Sequence, residues 1–78
     1  MKVEVKLFTV LQKYAPGGIR GQTTVECPGG ETIGQLLNRL SIPQTIPLVI
    51  LVNGVQKGRD DVLQDGDRLD VFPPIAGG

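Results

Sequence analysis

The 78-residue sequence has no histidine, no tryptophan and a single cysteine, Cys27. Without imidazole and with one thiol, neither a His-dependent triad nor a conventional metal site can be assembled from this chain. A lone cysteine also excludes an intramolecular disulfide. Net charge is absent too, because eight Lys and Arg balance eight Asp and Glu. There is no basic stripe, and the aromatics amount to one tyrosine and two phenylalanines, so nucleic-acid binding has no support. No signal peptide or spanning apolar run is found, and the opening Met1 to Lys6 alternates like a strand. The expectation is a cytoplasmic protein without a membrane role. At 40% hydrophobic and 21% charged residues it is a folded globular chain, with room for one small core.

What the sequence does have is glycine and proline, 11 and 6 of them, and their placement at the end is unusual. The last strand-like segment runs into Phe72-Pro73-Pro74-Ile75-Ala76-Gly77-Gly78. Pro73 and Pro74 fix φ and donate no backbone hydrogen bond, so ladder pairing stops there. They favour an extended exit that holds the following residues away from the globule. Gly77 and Gly78 lack a Cβ, so a partner can close around the backbone and reach the terminal carboxylate. The division expected is a domain over residues 1–72 and a flexible tail over 73–78. Taken alone, the ending also fits a frayed terminus. The body of the chain decides its weight.

Val3, Val5 and Leu7 alternate with Lys2, Glu4 and Lys6, which predicts a strand with one buried face. Phe8 then takes the outward parity, and residues 8–14 suit about one irregular or helical turn. Residues 21–27 alternate again, predicting a second, antiparallel strand with Thr23, Val25 and Cys27 on one side. After Pro28-Gly29-Gly30, Thr32-Ile33-Gly34-Gln35 fits a capping box. Ile33, Leu36, Leu37 and Leu40 give the helix a single apolar stripe, with Pro43 and Pro47 barring its continuation. Residues 48–52 are a continuous apolar run. Such a strand is either central in the sheet or carries apolar groups on an open face. Asn53-Gly54 predicts a tight turn with a brief return over residues 55–57. Asp65-Gly66 leads into the last strand, with Leu69 and Val71 inward and Arg68, Asp70 and Phe72 outward.

This order implies an α+β fold of β-grasp, ubiquitin-like type: a mixed four- to five-stranded sheet with one main helix packed on one face. It requires the first and last strands to pair in parallel. The expected core is Val3, Val5, Leu7, Val25, Ile33, Leu36, Leu37, Leu40, Leu69 and Val71.

Asp60, Asp61, Asp65, Asp67 and Asp70 lack the ligand spacing of a calcium loop. Bonding to neighbouring backbone amides accounts for Asp61, Asp65 and Asp67, and no metal site is expected. The glycine clusters lack the Gly-Lys-Ser/Thr of a phosphate loop. Cys27 falls on core parity and reads as a buried, inert thiol. Phe8 and Phe72 differ, since both point outward on strands that neighbour each other in this fold. With part of the 48–52 run beside them they form a patch suited to a protein partner.

In its element order and tail the chain resembles the MoaD/ThiS family of ubiquitin-like sulfur carriers. The resemblance runs from Lys6-Leu7-Phe8 and Tyr14 through residues 32–37 to Val52-Asn53-Gly54. It is strongest over residues 63–69 and the Phe72–Gly78 segment. The Phe-Pro-Pro segment and the longer loop after the first strand are closer to MoaD, the small subunit of molybdopterin synthase. Pro16-Gly17-Gly18 is similar to MoaD-like proteins outside the best-known bacterial pattern. The resemblance implies that a MoeB/ThiF-type adenylating enzyme uses ATP to activate the Gly78 carboxylate. A sulfur donor then converts it to a thiocarboxylate, and a MoaE-type large subunit receives the sulfur for molybdopterin. On this reading the chain binds no cofactor and is not itself an enzyme. Gly77 and Gly78 are the reactive end, while Phe8, Phe72, Pro73, Pro74, Ile75 and Ala76 meet the partners. Delivery to thiazole, cysteine or thiolated tRNA, conjugation to lysines as a ubiquitin-like modifier, and a non-covalent interaction module remain alternatives.

Overall fold

A computed structural model describes residues 1–15 and 21–74. Pro16-Gly17-Gly18 and the tail residues Ile75, Ala76, Gly77 and Gly78, singled out above, lie outside the described residues. In chain order the elements are β1 (Lys2–Leu7), a 3-10 helix (Thr9–Tyr14), β2 (Gln22–Glu26), α1 (Ile33–Arg39), β3 (Val49–Val52), β4 (Val55–Gln56) and β5 (Arg68–Phe72). The five strands form one sheet in the order β2-β1-β5-β3-β4. β1 and β5 pair in parallel, with Val5 opposite Leu69 and Leu7 opposite Val71. Every other pairing is antiparallel. This is the β-grasp arrangement that the element order required.

The helix forms where its cap allows. Thr32 Oγ1 accepts from Gln35 N at 3.2 Å, and Gln35 Oε1 accepts from Thr32 N at 3.0 Å. Both halves of the capping box are therefore made, satisfying two amides that the first turn leaves unpaired. Gly34 is there for close approach, since its N–H donates to Arg59 O at 2.8 Å. A Cβ at residue 34 would sit 3.2 Å from that oxygen. The helix does not wait for Pro43 to end. Ser41 takes a left-handed φ of 65° and donates to Asn38 O, while Ile42 N donates to Leu37 O. That bond pair is a Schellman termination with serine where glycine is usual.

The core corrects the sequence expectation at two places. Leu40 is only half-buried, because the helix ends at Arg39 and Leu40 serves as its C-cap. Val25 is half-buried as well, packed against the core from β2 at the edge of the sheet. In their place the core gains Leu11, Ile42, Ile50, Val52 and Leu63. Each such apolar side chain contributes about 1.5–3 kcal/mol on burial. The apolar run of β3 resolves as the open-face alternative: Ile50 and Val52 point inward, while Val49 and Leu51 lie half-buried on the other face. Asn53 and Gly54, with φ of 53° and 85°, make the two-residue turn that joins β3 to β4.

Among the aspartates, Asp61 Oδ2 accepts from Gly58 N at 2.7 Å and Asp67 Oδ2 from Gln64 N at 2.8 Å. Both are local turn bonds, as expected. Asp65 departs from that expectation: its Oδ1 accepts from Lys2 N, 63 residues away, at 2.7 Å, pinning the start of β1. Cys27 is buried, as its parity indicated. Burial, then the nearby Glu31 carboxylate, push its thiol up against the opposing pull of Arg39. Such a thiol is a poor nucleophile at neutral pH.

Candidate functional site

The parallel ladder between β1 and β5 does more than close the sheet. Phe8 N donates to Val71 O at 3.1 Å, which carries the pairing one step past Leu7 and sets Phe8 beside Phe72. The two rings stack with centroids 4.2 Å apart and planes 16° from parallel. Lys6 lays its ammonium over the Phe8 ring, 5.0 Å from the centroid. Both phenylalanines face away from the helix, as their parity predicted. They are half-buried where full exposure was expected, because each ring covers the other.

On the other side of Phe72, β3 brings Val49 into register with it. Thr9, Val49, Phe72, Pro73 and Pro74 together line a recess of about 480 Å³, apolar for most of its wall. Thr9 and Val49 were not named as site residues from the sequence. Val49 was foreshadowed by the unbroken apolar run, whereas Thr9 arrives only through the left-handed turn at φ 53° that starts the 3-10 helix. Pro73 is half-buried against the recess and Pro74 is exposed at its lip. So Phe8, Phe72, Pro73 and Pro74 are brought together at one corner of the sheet. Ile75, Ala76, Gly77 and Gly78 follow directly in sequence, outside the described residues.

Among the described residues, no histidine, cysteine or carboxylate lines the recess. Among the described residues, no three His, Cys, Asp or Glu side chains converge as metal ligands. No described helix is long and apolar enough to cross a membrane. An apolar recess, an aromatic stack and an adjoining cation are the chemistry of protein docking.

The profile of the ThiS family matches residues 5–78, nearly the whole chain. The chain belongs to the ThiS family. No curated protein matches it in sequence. Solved structures resemble this ThiS-family protein over all or most of their length. SAMP1 from Haloferax volcanii is 25% identical with a TM-score of 0.75, covering 100% of both chains. A putative molybdopterin converting factor subunit 1 from Pyrococcus furiosus is 27% identical with a TM-score of 0.74, over 95% of this chain and 98% of that one. Subunit 1 of the Helicobacter pylori factor, in complex with subunit 2, shares the fold at 20% identity and a TM-score of 0.63, over 100% of both chains. This ThiS-family protein is thus a small ubiquitin-like chain of the MoaD/ThiS carrier type.

Proposed function

We propose that this protein is a sulfur carrier whose Gly78 carboxylate is activated and converted to a thiocarboxylate, with molybdopterin synthesis as the receiving reaction. The observation that carries this reading is the apolar recess at the root of a Pro-Pro-Ile-Ala-Gly-Gly ending in a ThiS-family chain. A carboxylate oxygen of Gly78 attacks the α-phosphorus of ATP, and pyrophosphate leaves. Hydrosulfide released by a sulfur donor then attacks the acyl carbon, the bond to AMP breaks, the S–H proton is lost to solvent, and the thiocarboxylate remains. ATP belongs to the MoeB/ThiF-type adenylating enzyme, and the carrier itself binds no cofactor. The carrier supplies the acyl group and the docking surface, and its partners supply the catalytic residues. In the second half of the cycle a MoaE-type large subunit takes the same corner. The Helicobacter pylori subunit pair and the Pyrococcus furiosus likeness favour that acceptor.

Pyrophosphate exchange tests the first step. The adenylating enzyme should exchange labelled pyrophosphate into ATP only when this protein is present. Exchange that ignores the protein contradicts the reading. The small archaeal modifier proteins among the structural likenesses favour a second outcome from the same activated terminus, transfer to lysine amines. Covalent conjugates, in place of sulfur transfer, would identify that case.

The docking corner makes a separate prediction. Phe72→Ala is expected to raise the carrier concentration needed for half-maximal activation by about 5- to 150-fold, equivalent to about 1–3 kcal/mol of lost binding. The turnover rate at saturation should be retained, because the ring touches no reacting atom. Steady-state titration of the carrier checks this, and an unchanged half-saturation value contradicts it.

A further inference from the structure

On the sheet face away from α1, β5 carries Arg68, Asp70 and Phe72 in succession. Register places Lys6 of β1 on one side of Asp70 and Leu51 of β3 on the other. Asp70 therefore sits mid-face on the middle strand, next along the strand from the Phe8–Phe72 stack. Its side chain is 17% exposed. Its Oδ1 is buried and has no hydrogen-bond partner among the described residues. Arg68 Nε approaches that oxygen at 3.6 Å, outside hydrogen-bond length, from a side chain that is 57% exposed. With Arg68 so exposed, that approach holds the carboxylate only weakly. Lys6, the other cation beside Asp70, has its ammonium over the Phe8 ring. Asp61, Asp65 and Asp67 each hold a backbone amide at 2.7 to 2.8 Å, so Asp70 stands apart from them.

A buried acceptor without a donor is uncommon in a folded protein and costs free energy while it stays so. Here it lies at the border of an apolar docking patch, where a partner would remove the remaining water. Part of the side chain stays exposed there, so a partner's donor can reach the carboxylate without backbone movement. Resting on the carrier reading above, we propose that Asp70 is a recognition residue for the adenylating enzyme. It accepts a hydrogen bond from a guanidinium that the enzyme carries beside its pocket for Phe72. A guanidinium suits the place better than an ammonium, because it is planar, forks onto a carboxylate and lies flat against an aromatic ring. The apolar contact gives the interface its area, and the charged bond fixes its register.

The test is calorimetric titration of the whole chain, as wild type, Asp70→Asn and Phe72→Ala, into the adenylating enzyme, with thermal melts of each free protein. Asp70→Asn is nearly isosteric, so the fold is kept. Its affinity should fall about tenfold or more. Its melting midpoint should change little, since Oδ1 has no hydrogen bond and its ion pair with the exposed Arg68 is weak. Loading at saturating carrier should proceed at the wild-type rate. Wild-type affinity in Asp70→Asn overturns the assignment. So does a weakened affinity accompanied by a midpoint several degrees lower, which would mark a structural ion pair with Arg68. If wild type gains sulfur while Asp70→Asn binds unchanged, only the Asp70 role falls. If wild type fails to bind the enzyme at all, both readings fall.

Discussion

Deleting Gly78, or adding a single residue after it, is expected to abolish sulfur loading while the thermal midpoint stays at its wild-type value. On the proposed reading the reacting group is the Gly78 carboxylate, and one residue displaces it by about 3.5 Å along an extended chain. A shift of even 1 Å in a reacting group can cost about a hundredfold in rate, so a whole residue removes the group from the adenylating site. Stability is untouched because the buried core of the described residues ends at Val71. Gly77→Val should also impair loading, since a β-branched side chain restricts the backbone and, on the proposed reading, widens a tail that enters the adenylating site. Intact-mass measurement after incubation with the adenylating enzyme, ATP and a sulfur source gives the answer for all three. Normal loading of the extended chain would contradict the account and favour a non-covalent interaction module.

Gly21→Ala should be the most damaging single methyl in the described fold. Gly21 has a φ of +77°, and a Cβ there would lie 2.2 Å from Leu7 O, a backbone atom that cannot turn aside. The same addition would meet Gln12 Cγ at 2.8 Å. Gly21 O meanwhile accepts from Leu7 N at 2.8 Å, so relieving the clash opens the β1–β2 ladder at its end. The left-handed conformation alone costs a non-glycine residue about 1–2 kcal/mol, and the clash adds to it. A loss of about 3 kcal/mol or more is expected, a large share of the stability of so small a domain. Gly30→Ala is the control, because its φ is +83° but nothing lies within 4 Å. Urea denaturation should show the Gly30 variant losing only the conformational part, about 1–2 kcal/mol. Equal losses at the two positions would contradict the steric argument. The Gly21 change also bears on docking, since Phe8 follows directly on Leu7.

The Phe8–Phe72 corner was legible in the sequence because strand parity and element order act together. Phe8 and Phe72 each fall on the outward parity of strands that this topology makes neighbours, and the rings meet at 4.2 Å. The capping box was equally legible, since Thr32 and Gln35 lie within one turn. What escaped depends on contacts between distant residues. Leu63 and Leu11 enter the core from a loop and a 3-10 helix, where no period marks the buried side. Ile42 is buried through the Schellman ending at Ser41, which lacks the glycine that would have announced it. Leu40, the fourth residue of the apolar stripe, is lost to the core for the same reason. Glu31 was missed altogether. Its side chain is 4% exposed and takes Arg39 Nη2 at 2.9 Å and Nε at 3.0 Å, tying the segment before α1 to the last turn of that helix. Eight residues separate the pair, a spacing at which no helical or strand pattern speaks. The unpartnered oxygen of Asp70 was beyond reach as well, since parity places the side chain outward without showing which donors fail to meet it.

The central claim is that this ThiS-family chain carries sulfur on its last residue. Mass spectrometry of the wild-type protein, intact and after proteolysis, tests it most directly, following reaction with the cognate adenylating enzyme, ATP and a sulfur source. The account predicts that one sulfur replaces one oxygen, that the change maps to the peptide ending in Gly78, and that it disappears when ATP is omitted. An unchanged mass, or a sulfur found on Cys27 with the Gly78 peptide unaltered, would contradict it.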